Sequence, residues 1–337
     1  MTSARKDPVK LRISDVARHA GVSAATVSRV MNGNPSVDPA LAERVQAAAA
    51  ELGYSASPLA RSLALGKTQT VAVLVPDLGN PTFQATLRMF SRTAAGDGYH
   101  VLVADSAEVA GDEAALALQA RRRTDGILLV APRMPDDELA ALLPQLSPVV
   151  LVNRPAGLGA PVVAADYAEG IRQLIAHLRE LGHRRILYLA GVTGSASHAR
   201  RLAAIADARH AHPELEILEA ACGTGFADGA AAADEVTRSG ATAVLAYNDL
   251  VAMGLLSALH ERGVTVPADV SVVGFDDIPF APYTTPPLTT VAVPAEEMGA
   301  LAWTALRRLL DTQEEAAPVV LAPALALRGS TAAPPRR

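Results

Sequence analysis

From Val71 onward the chain alternates short apolar runs with helical stretches, and this alternation restricts it to parallel, doubly wound sheets covered by helices. The expected strands are VAVLV at 71–75, HVLVA at 100–104, GILLV at 126–130, PVVLV at 148–152, RILYLA at 185–190, LEILEA at 215–220, TAVLAY at 242–247 and VSVVGF at 270–275. Helices are expected near 82–97, 111–123, 168–181, 196–210, 228–239 and 249–262. About 260 residues accommodate two such sheets. The two halves look alike in architecture, without a short-period repeat. Trp303 and Met298 lie on an amphipathic C-terminal helix and read as packing residues.

The first seventy residues read differently. In the stretch Ile13 to Asn32, the residues Ile13, Val16, Ala17 and Ala20 share one helical face. Ser14 and Asp15 offer oxygens to the unpaired amides of the opening turn. Gly21 supplies a corner that a side chain would forbid. Ser23 is placed to cap a second helix, on which Val27 and Val30 face the first. A helix-turn-helix needs this pattern of a small residue at the crossing, a flexible corner and an apolar plug. The outer face of the second helix carries Thr26, Ser28, Arg29 and Asn32, polar groups suited to the major groove. A third helix is expected from Pro39 to Leu52, with Leu41, Val45, Ala48 and Leu52 as its stripe and Gly53 as its stop. Pro58 then opens a short segment carrying Leu59, Ala60, Leu63 and Ala64. It reads either as a helix too short to stand without a partner or as a plain linker.

Charge separates the two parts. Residues 1–67 hold nine Lys/Arg against five acids, and the remainder holds twenty-one against thirty. A basic head on an acidic body points to a polyanion as the partner of the head alone. The single Cys222 rules out an internal disulfide and suits a reducing cytoplasm. Residues 1–12 are polar and basic with no apolar run behind them, and no stretch has the ~18 apolar residues of a membrane helix. No secretory signal, membrane partner or metal site is therefore expected. His177, His183, His210 and His212 have no company at metal-ligand spacing. The chain has no GxxxxGK[ST], HExxH, CxxC or GxSxG motif, so catalysis and a cofactor are not expected.

Ligands of open parallel sheets bind beyond the carboxyl ends of the strands. The residues found there are Asp77, Asn80 and Phe83, then Asn153 and Arg154, then Ser195 to Arg201. Phe226, Asn248-Asp249 and Asp276-Asp277 follow. Carboxylates and amides hydrogen-bond hydroxyls in pairs, and rings cover the apolar face of a sugar or stack on a base. Singly, each residue also fits a plain structural role: Asp249 as a helix cap, Phe83 and Phe226 as core, Arg200 or Arg201 as a surface arginine.

The sequence resembles the LacI/GalR family of transcription regulators over nearly its whole length. The resemblance is carried by DVARHAGVSAATVSRVMNG, by Val37 to Tyr54, and by PLARSLA, Asn80-Pro81, LRELGHRRILYLAG and AYNDLVAMGLL. DVSVVGFDDIPFAPYTTPPLTTV and LRGST belong to it as well. It implies a small all-α helix-turn-helix domain at 1–56, a hinge helix and linker at 57–69, and a periplasmic-binding-protein-like α/β body of two subdomains at 70–331. It places Ser23, Ala24, Ala25, Thr26, Ser28, Arg29 and Asn32 at operator DNA. Ala60 to Ala64 would form the hinge helix, with Leu63 levering into the minor groove and Ala64 beside it. It places Asp77, Asn80, Phe83, Asn153, Arg201, Phe226, Asn248 and Asp276 at a small-molecule effector.

The implied function is a homodimeric cytoplasmic repressor responding to a sugar or sugar derivative. An activator and a nucleoside-responsive regulator are the alternatives. Two departures stand out. Ala24 and Ala25 open the recognition helix and can touch a thymine methyl but cannot read a donor or acceptor. Leu202-Ala203-Ala204-Ile205 replaces the usual Leu-x-Gly-aromatic, which leaves the arginine role open between Arg200 and Arg201.

Overall fold

The computed structural model describes residues 11–31, 36–54 and 66–336. Asn32, Leu63, Ala64 and the rest of the expected hinge helix lie outside the described residues. The chain divides into two compact units, residues 1–68 and 69–337.

The first unit contains three helices, α1 (Ile13–Ala20), α2 (Ala24–Met31) and α3 (Pro39–Leu52). Val16 and Val27 are fully buried between them, with Ala17, Ala20, Val30, Val45, Ala48 and Ala49 completing the core. The opening cap of α1 comes from Asp15, which accepts from the Arg12 N–H at 2.9 Å, and Ser14 is exposed. Gly21 ends α1 at φ 64°. Ser23 Oγ accepts from the Thr26 N–H at 3.1 Å and so starts α2. Asp38 caps α3 through the Leu41 N–H, Pro39 fills its first position, and Gly53 ends it at φ 65°. The stripe of α3 is deepest at Val45, Ala48 and Ala49, while Leu41 and Leu52 lie half-buried at its ends.

The second unit has two parallel sheets. The six-stranded one runs β11-β5-β4-β3-β1-β2, from β1 (Thr70–Val75), β2 (His100–Asp105), β3 (Gly126–Val130), β4 (Val149–Val152), β5 (Val162–Ala165) and β11 (Val319–Leu321). The four-stranded one runs β7-β6-β8-β9, from β6 (Arg185–Ala190), β7 (Glu216–Ala221), β8 (Ala243–Leu245) and β9 (Ser271–Val273). A short antiparallel pair joins β10 (Thr290–Ala292) to β12 (Ala324–Ala326).

Helices α4 (Pro81–Gly96), α5 (Ala110–Arg121), α6 (Asp136–Leu146) and α12 (Ala295–Thr312) cover the larger sheet. Helices α7 (Tyr167–Glu180), α8 (Ala196–Ala211), α9 (Phe226–Ala231), α10 (Ala233–Ser239) and α11 (Asp249–Glu261) serve the smaller one. The sequence-expected strands all form, within two residues at each end. The helix expected over 228–239 breaks at Ala232 into α9 and α10. The sequence reading had no counterpart of α6, β5, β10, β11 and β12.

Close approach decides two of the packings. A Cβ on Gly254 would lie 1.9 Å from the Phe226 carbonyl oxygen, and one on Gly229 2.0 Å from that of Val251, so α9 and α11 meet backbone to backbone. Gly299 lets α12 approach α4 in the same way, at 2.3 Å from the Thr86 carbonyl. Trp303 on α12 is buried between Phe90 and Tyr99, and its Nε1 donates to Asp97 at 2.7 Å. Met298 is buried beside it.

Candidate functional site: a cleft at the strand ends

One cavity of about 400 Å³ opens where the carboxyl ends of both parallel sheets face each other. Every strand from β1 to β9 sends at least one lining residue from the loop or helix that follows it. Asn80, Thr82 and Phe83 come after β1, Glu108 after β2, and Ala131 and Arg133 after β3. Asn153 follows β4 and Tyr167 follows β5. Ser197 and Arg201 come after β6, Thr224 after β7, Tyr247 and Asn248 after β8, and Asp276 after β9. Four of these, Glu108, Ala131, Asn153 and Asp276, hold positive φ of 61°, 43°, 57° and 113°. Non-glycine residues adopt such angles only when their surroundings enforce them, and they concentrate at functional sites.

Arg201 lies at the centre of the cleft and is 2% exposed, whereas Arg200 is on the surface; this places the arginine that sequence alone left open. Its guanidinium carbon lies 4.1 Å from the Phe275 ring centroid, 4.4 Å from Tyr247 and 5.0 Å from Tyr167. NH1 donates to the Tyr247 carbonyl at 2.6 Å, while Nε is buried with no hydrogen-bond partner. Among the described residues Arg201 forms no ion pair. Burial, with Arg201 second, pushes the neighbouring His198 imidazole down to about 4, so it stays neutral and bonds Tyr188 Oη through Nδ1 at 3.1 Å. Burial raises the Asp276 carboxyl to about 6, against the pull of Arg201.

Three amides complete the wall. Asn153 Nδ2 donates to Tyr167 Oη at 2.8 Å, and its Oδ1 accepts from the Ala165 N–H. Asn80 caps α4 through the Thr82 N–H at 2.9 Å. Asn248 caps α11 through the Val251 N–H and donates to the Thr224 carbonyl, both at 2.9 Å. The cap of α11 is therefore Asn248, not Asp249. Asp249 is the next residue in the chain and is fully buried. It accepts from the Ile278 N–H at 2.8 Å and from the Thr290 hydroxyl at 2.6 Å, and so ties the Asp276 loop to β10.

Six of the eight expected effector residues thus meet in the cavity: Asn80, Phe83, Asn153, Arg201, Asn248 and Asp276. Two do not line it. The Asp77 carboxylate is turned onto the Gly79 N–H at 2.6 Å, closing a local turn. Phe226 starts α9 and is 50% exposed, since the glycine crossing holds its backbone against α11. Ser197, within the expected Ser195–Arg201 stretch, lines it too, and Thr82, Glu108, Ala131, Arg133, Tyr167, Thr224 and Tyr247 line it without a sequence expectation. Glu108 and Arg133 lie just past β2 and β3, at the same strand ends that mark the other lining residues.

In the first unit, Ser23, Ala24, Ala25 and Arg29 are exposed on α2, and Thr26 and Ser28 are half-buried. The buried edge of the same helix is Val27 and Val30, so sequence alone oriented it.

Residues 12–57 match bacterial regulatory proteins of the lacI family, and residues 175–331 match the periplasmic binding protein-like domain. The chain is 36% identical over 301 residues to the HTH-type transcriptional regulator GalS of Salmonella typhimurium, covering 87% of this chain and 88% of that one.

The chain belongs to the LacI family.

As a LacI-family member it is a DNA-binding transcriptional regulator, and not an enzyme. Its fold matches that of the Lac repressor dimer solved bound to operator and the anti-inducer ONPF. The TM-score is 0.87 at 27% identity, over 96% of this chain and 99% of that one. The regulator CelR in its cellobiose complex matches with a TM-score of 0.69 at 30% identity, over 95% of this chain and 99% of that one. The lacI-family match spans α2, and the periplasmic binding protein-like match spans the lining residues from Ser197 to Asp276.

Proposed function

We propose that this LacI-family regulator is a repressor that binds a near-palindromic operator as a homodimer and is controlled by a small uncharged polyhydroxyl ligand, a sugar or sugar derivative, in the cleft. The observation that carries the reading is the pairing of a buried Arg201, whose Nε lacks a partner, with an Asp276 carboxylate in one cavity. Arg201 offers donors and Asp276 offers acceptors, so together they suit a group that both accepts and donates, as a hydroxyl does. Phe83, Tyr167 and Tyr247 supply the ring surface that covers C–H faces.

Ser23, Ala24, Ala25, Thr26, Ser28, Arg29 and Asn32 are the proposed operator contacts, with Leu63 and Ala64 at the operator centre. Arg29 is the side chain that can bond two acceptors of a guanine. Support for the dimer comes from aromatic surface on the second unit: Phe226, Phe280 and Tyr283 are 50%, 52% and 85% exposed. These rings are apolar area that a second copy of the chain would cover on association. A cytoplasmic location follows from the role, and among the described residues no helix is long and apolar enough to cross a membrane.

The test is a selection of bound sequences from a randomised duplex pool, followed by titration of the selected duplex with and without D-ribose, D-galactose and other simple sugars. Enrichment of a two-fold symmetric site whose affinity changes with one sugar supports the reading. Enrichment of an asymmetric site, or an affinity no sugar alters, contradicts it.

A further inference from the structure

The geometry points to Glu108 and Arg133 as a paired wall that restricts the effector to a single ring, excluding disaccharides and nucleosides. The inference rests on the cleft being the effector site.

An arginine lining a ligand cavity reads first as a receptor for an anion. Arg133 is not free to act as one. Its Nε donates to Glu108 Oε2 at 2.6 Å, its NH2 to Glu108 Oε1 at 2.8 Å, and its NH1 to the Ala131 carbonyl at 3.0 Å. The bidentate pair occupies the Nε–NH2 edge of the guanidinium, NH1 is turned to the carbonyl, and the carboxylate balances the charge. What remains toward the cavity is bulk: a flat face whose carbon lies 6.0 Å from the Phe83 ring centroid.

The pair is also held rigidly. Its side chains are 5% exposed for Arg133 and 23% for Glu108. Below it, the Glu113 carboxylate is buried and accepts from the Arg133 N–H and the Met134 N–H, all at 2.8 Å. Glu108 itself stands on two consecutive left-handed residues, Ala107 at φ 50° and Glu108 at φ 61°.

The opposite subdomain closes on the same place. Gly194, in the loop after β6, has φ 86°, and a Cβ there would lie 3.0 Å from the Arg133 carbonyl oxygen. Loops from both sheets therefore meet at Arg133, and the cleft ends there. The space left between them is narrow: the roughly 400 Å³ of the cleft includes its open mouth. A relative of the same fold is solved with the two-ring sugar cellobiose, so the scaffold itself does not set the limit in that protein. In this chain the limit is local, and Glu108 with Arg133 supplies it.

The experiment is calorimetric titration of the full chain with two one-ring probes, D-ribose and D-galactose, and three two-ring probes, cellobiose, maltose and cytidine. It compares wild type with the double variant Glu108→Ser, Arg133→Ala, which removes both charges together. Wild type is expected to bind a one-ring probe at least tenfold more tightly than any two-ring probe, and the double variant to narrow that ratio at least tenfold. A two-ring probe binding wild type as tightly as either sugar overturns the wall, as does an unchanged ratio in the double variant. So does failure of every two-ring probe to bind it.

If circular dichroism shows that the double variant does not fold, Glu108→Ala, which releases the Arg133 side chain, is titrated instead, with at least a threefold narrowing expected. The parent reading has its own readout. Arg201→Ala is expected to lose all probe binding, and probes that bind this variant as they bind wild type place the ligand elsewhere, whatever the wall does.

Discussion

Arg201 stacks its guanidinium 4.1 Å over Phe275 while its Nε faces no acceptor, so the most buried cation of the cleft is held by rings and not by a carboxylate. Ring faces attract a cation without consuming its N–H groups. A buried charge left short of partners costs several kcal/mol in a low-dielectric interior, roughly the scale of a whole effector response. The arrangement keeps a donor available at the centre of the cleft.

Arg201→Ala is expected to abolish the effector response and leave operator affinity within twofold of wild type. Arg201→Lys keeps the charge but loses the flat stacking face, and is expected to restore little of the response. Operator titrations with and without the sugar measure both.

Effector binding is expected to weaken as pH falls through about 6, where the Asp276 carboxyl takes up its proton and ceases to be a pure acceptor. The sign for stability follows from the same shift. A carboxyl raised from its ordinary value binds its proton more tightly in the folded chain, so its contribution favours folding at low pH and is lost as pH rises from about 4 to about 6. Bound hydroxyls that donate to the carboxylate oppose that loss. Affinity measured from pH 5 to 8 is therefore expected to fall by up to about tenfold per unit below pH 6. Asp276→Asn is expected to flatten the profile.

Asp249→Ala removes the acceptor shared by the Ile278 N–H and the Thr290 hydroxyl. Two buried donors left without partners cost about 2–5 kcal/mol. Thermal unfolding of the body is expected at clearly lower temperature, with effector affinity reduced because the Asp276 loop loses its tether. Asp249→Asn, which keeps one acceptor, is expected to fall between.

Gly254→Ala would put a methyl 1.9 Å from the Phe226 carbonyl. Backbone on the other side cannot yield as a flexible side chain would, so α9 must separate from α11. A loss of about 2 kcal/mol or more in denaturant unfolding is expected.

In the head, Ala17 is 7% exposed and packs in the core that Val16 and Val27 centre. Ala17→Leu overfills that core and is expected to cost about 1–3 kcal/mol. Operator binding should fall while ligand binding by the body is unchanged, as paired titrations would show.

The head was legible because its signals are local. Gly21, Ser23, Asp38 and Gly53 announce the helix ends, and the 3.6-residue spacing of Val16, Ala17 and Ala20 or Val27 and Val30 gives the buried faces. The strands were legible as apolar runs between turns. What escaped has physical reasons. Helix α6 contains Pro144 and lies between two apolar strands, which masks its period. Strands β5, β10, β11 and β12 have only three or four residues each and gain their identity from neighbours distant in sequence.

In the cleft, residues with recognisable chemistry directly after a strand were legible, except Glu108 and Arg133 after β2 and β3. Tyr167 and Tyr247 carry no local signal of a site because their rings are buried; only the placement of Arg201 beside both makes them part of one. Asp77 and Phe226 show the converse. Each follows a strand, but the turn at Gly79 and the glycine crossing of α9 with α11 keep them out of the cavity wall.

The most direct test of the account is fluorescence anisotropy of a labelled operator duplex, titrated with wild type and with Arg201→Ala, each with and without the sugar that binds best. The account predicts that the sugar changes wild-type operator affinity by about 5- to 150-fold and leaves that of Arg201→Ala unaltered. An equal change in both proteins, or no change in either, would contradict it.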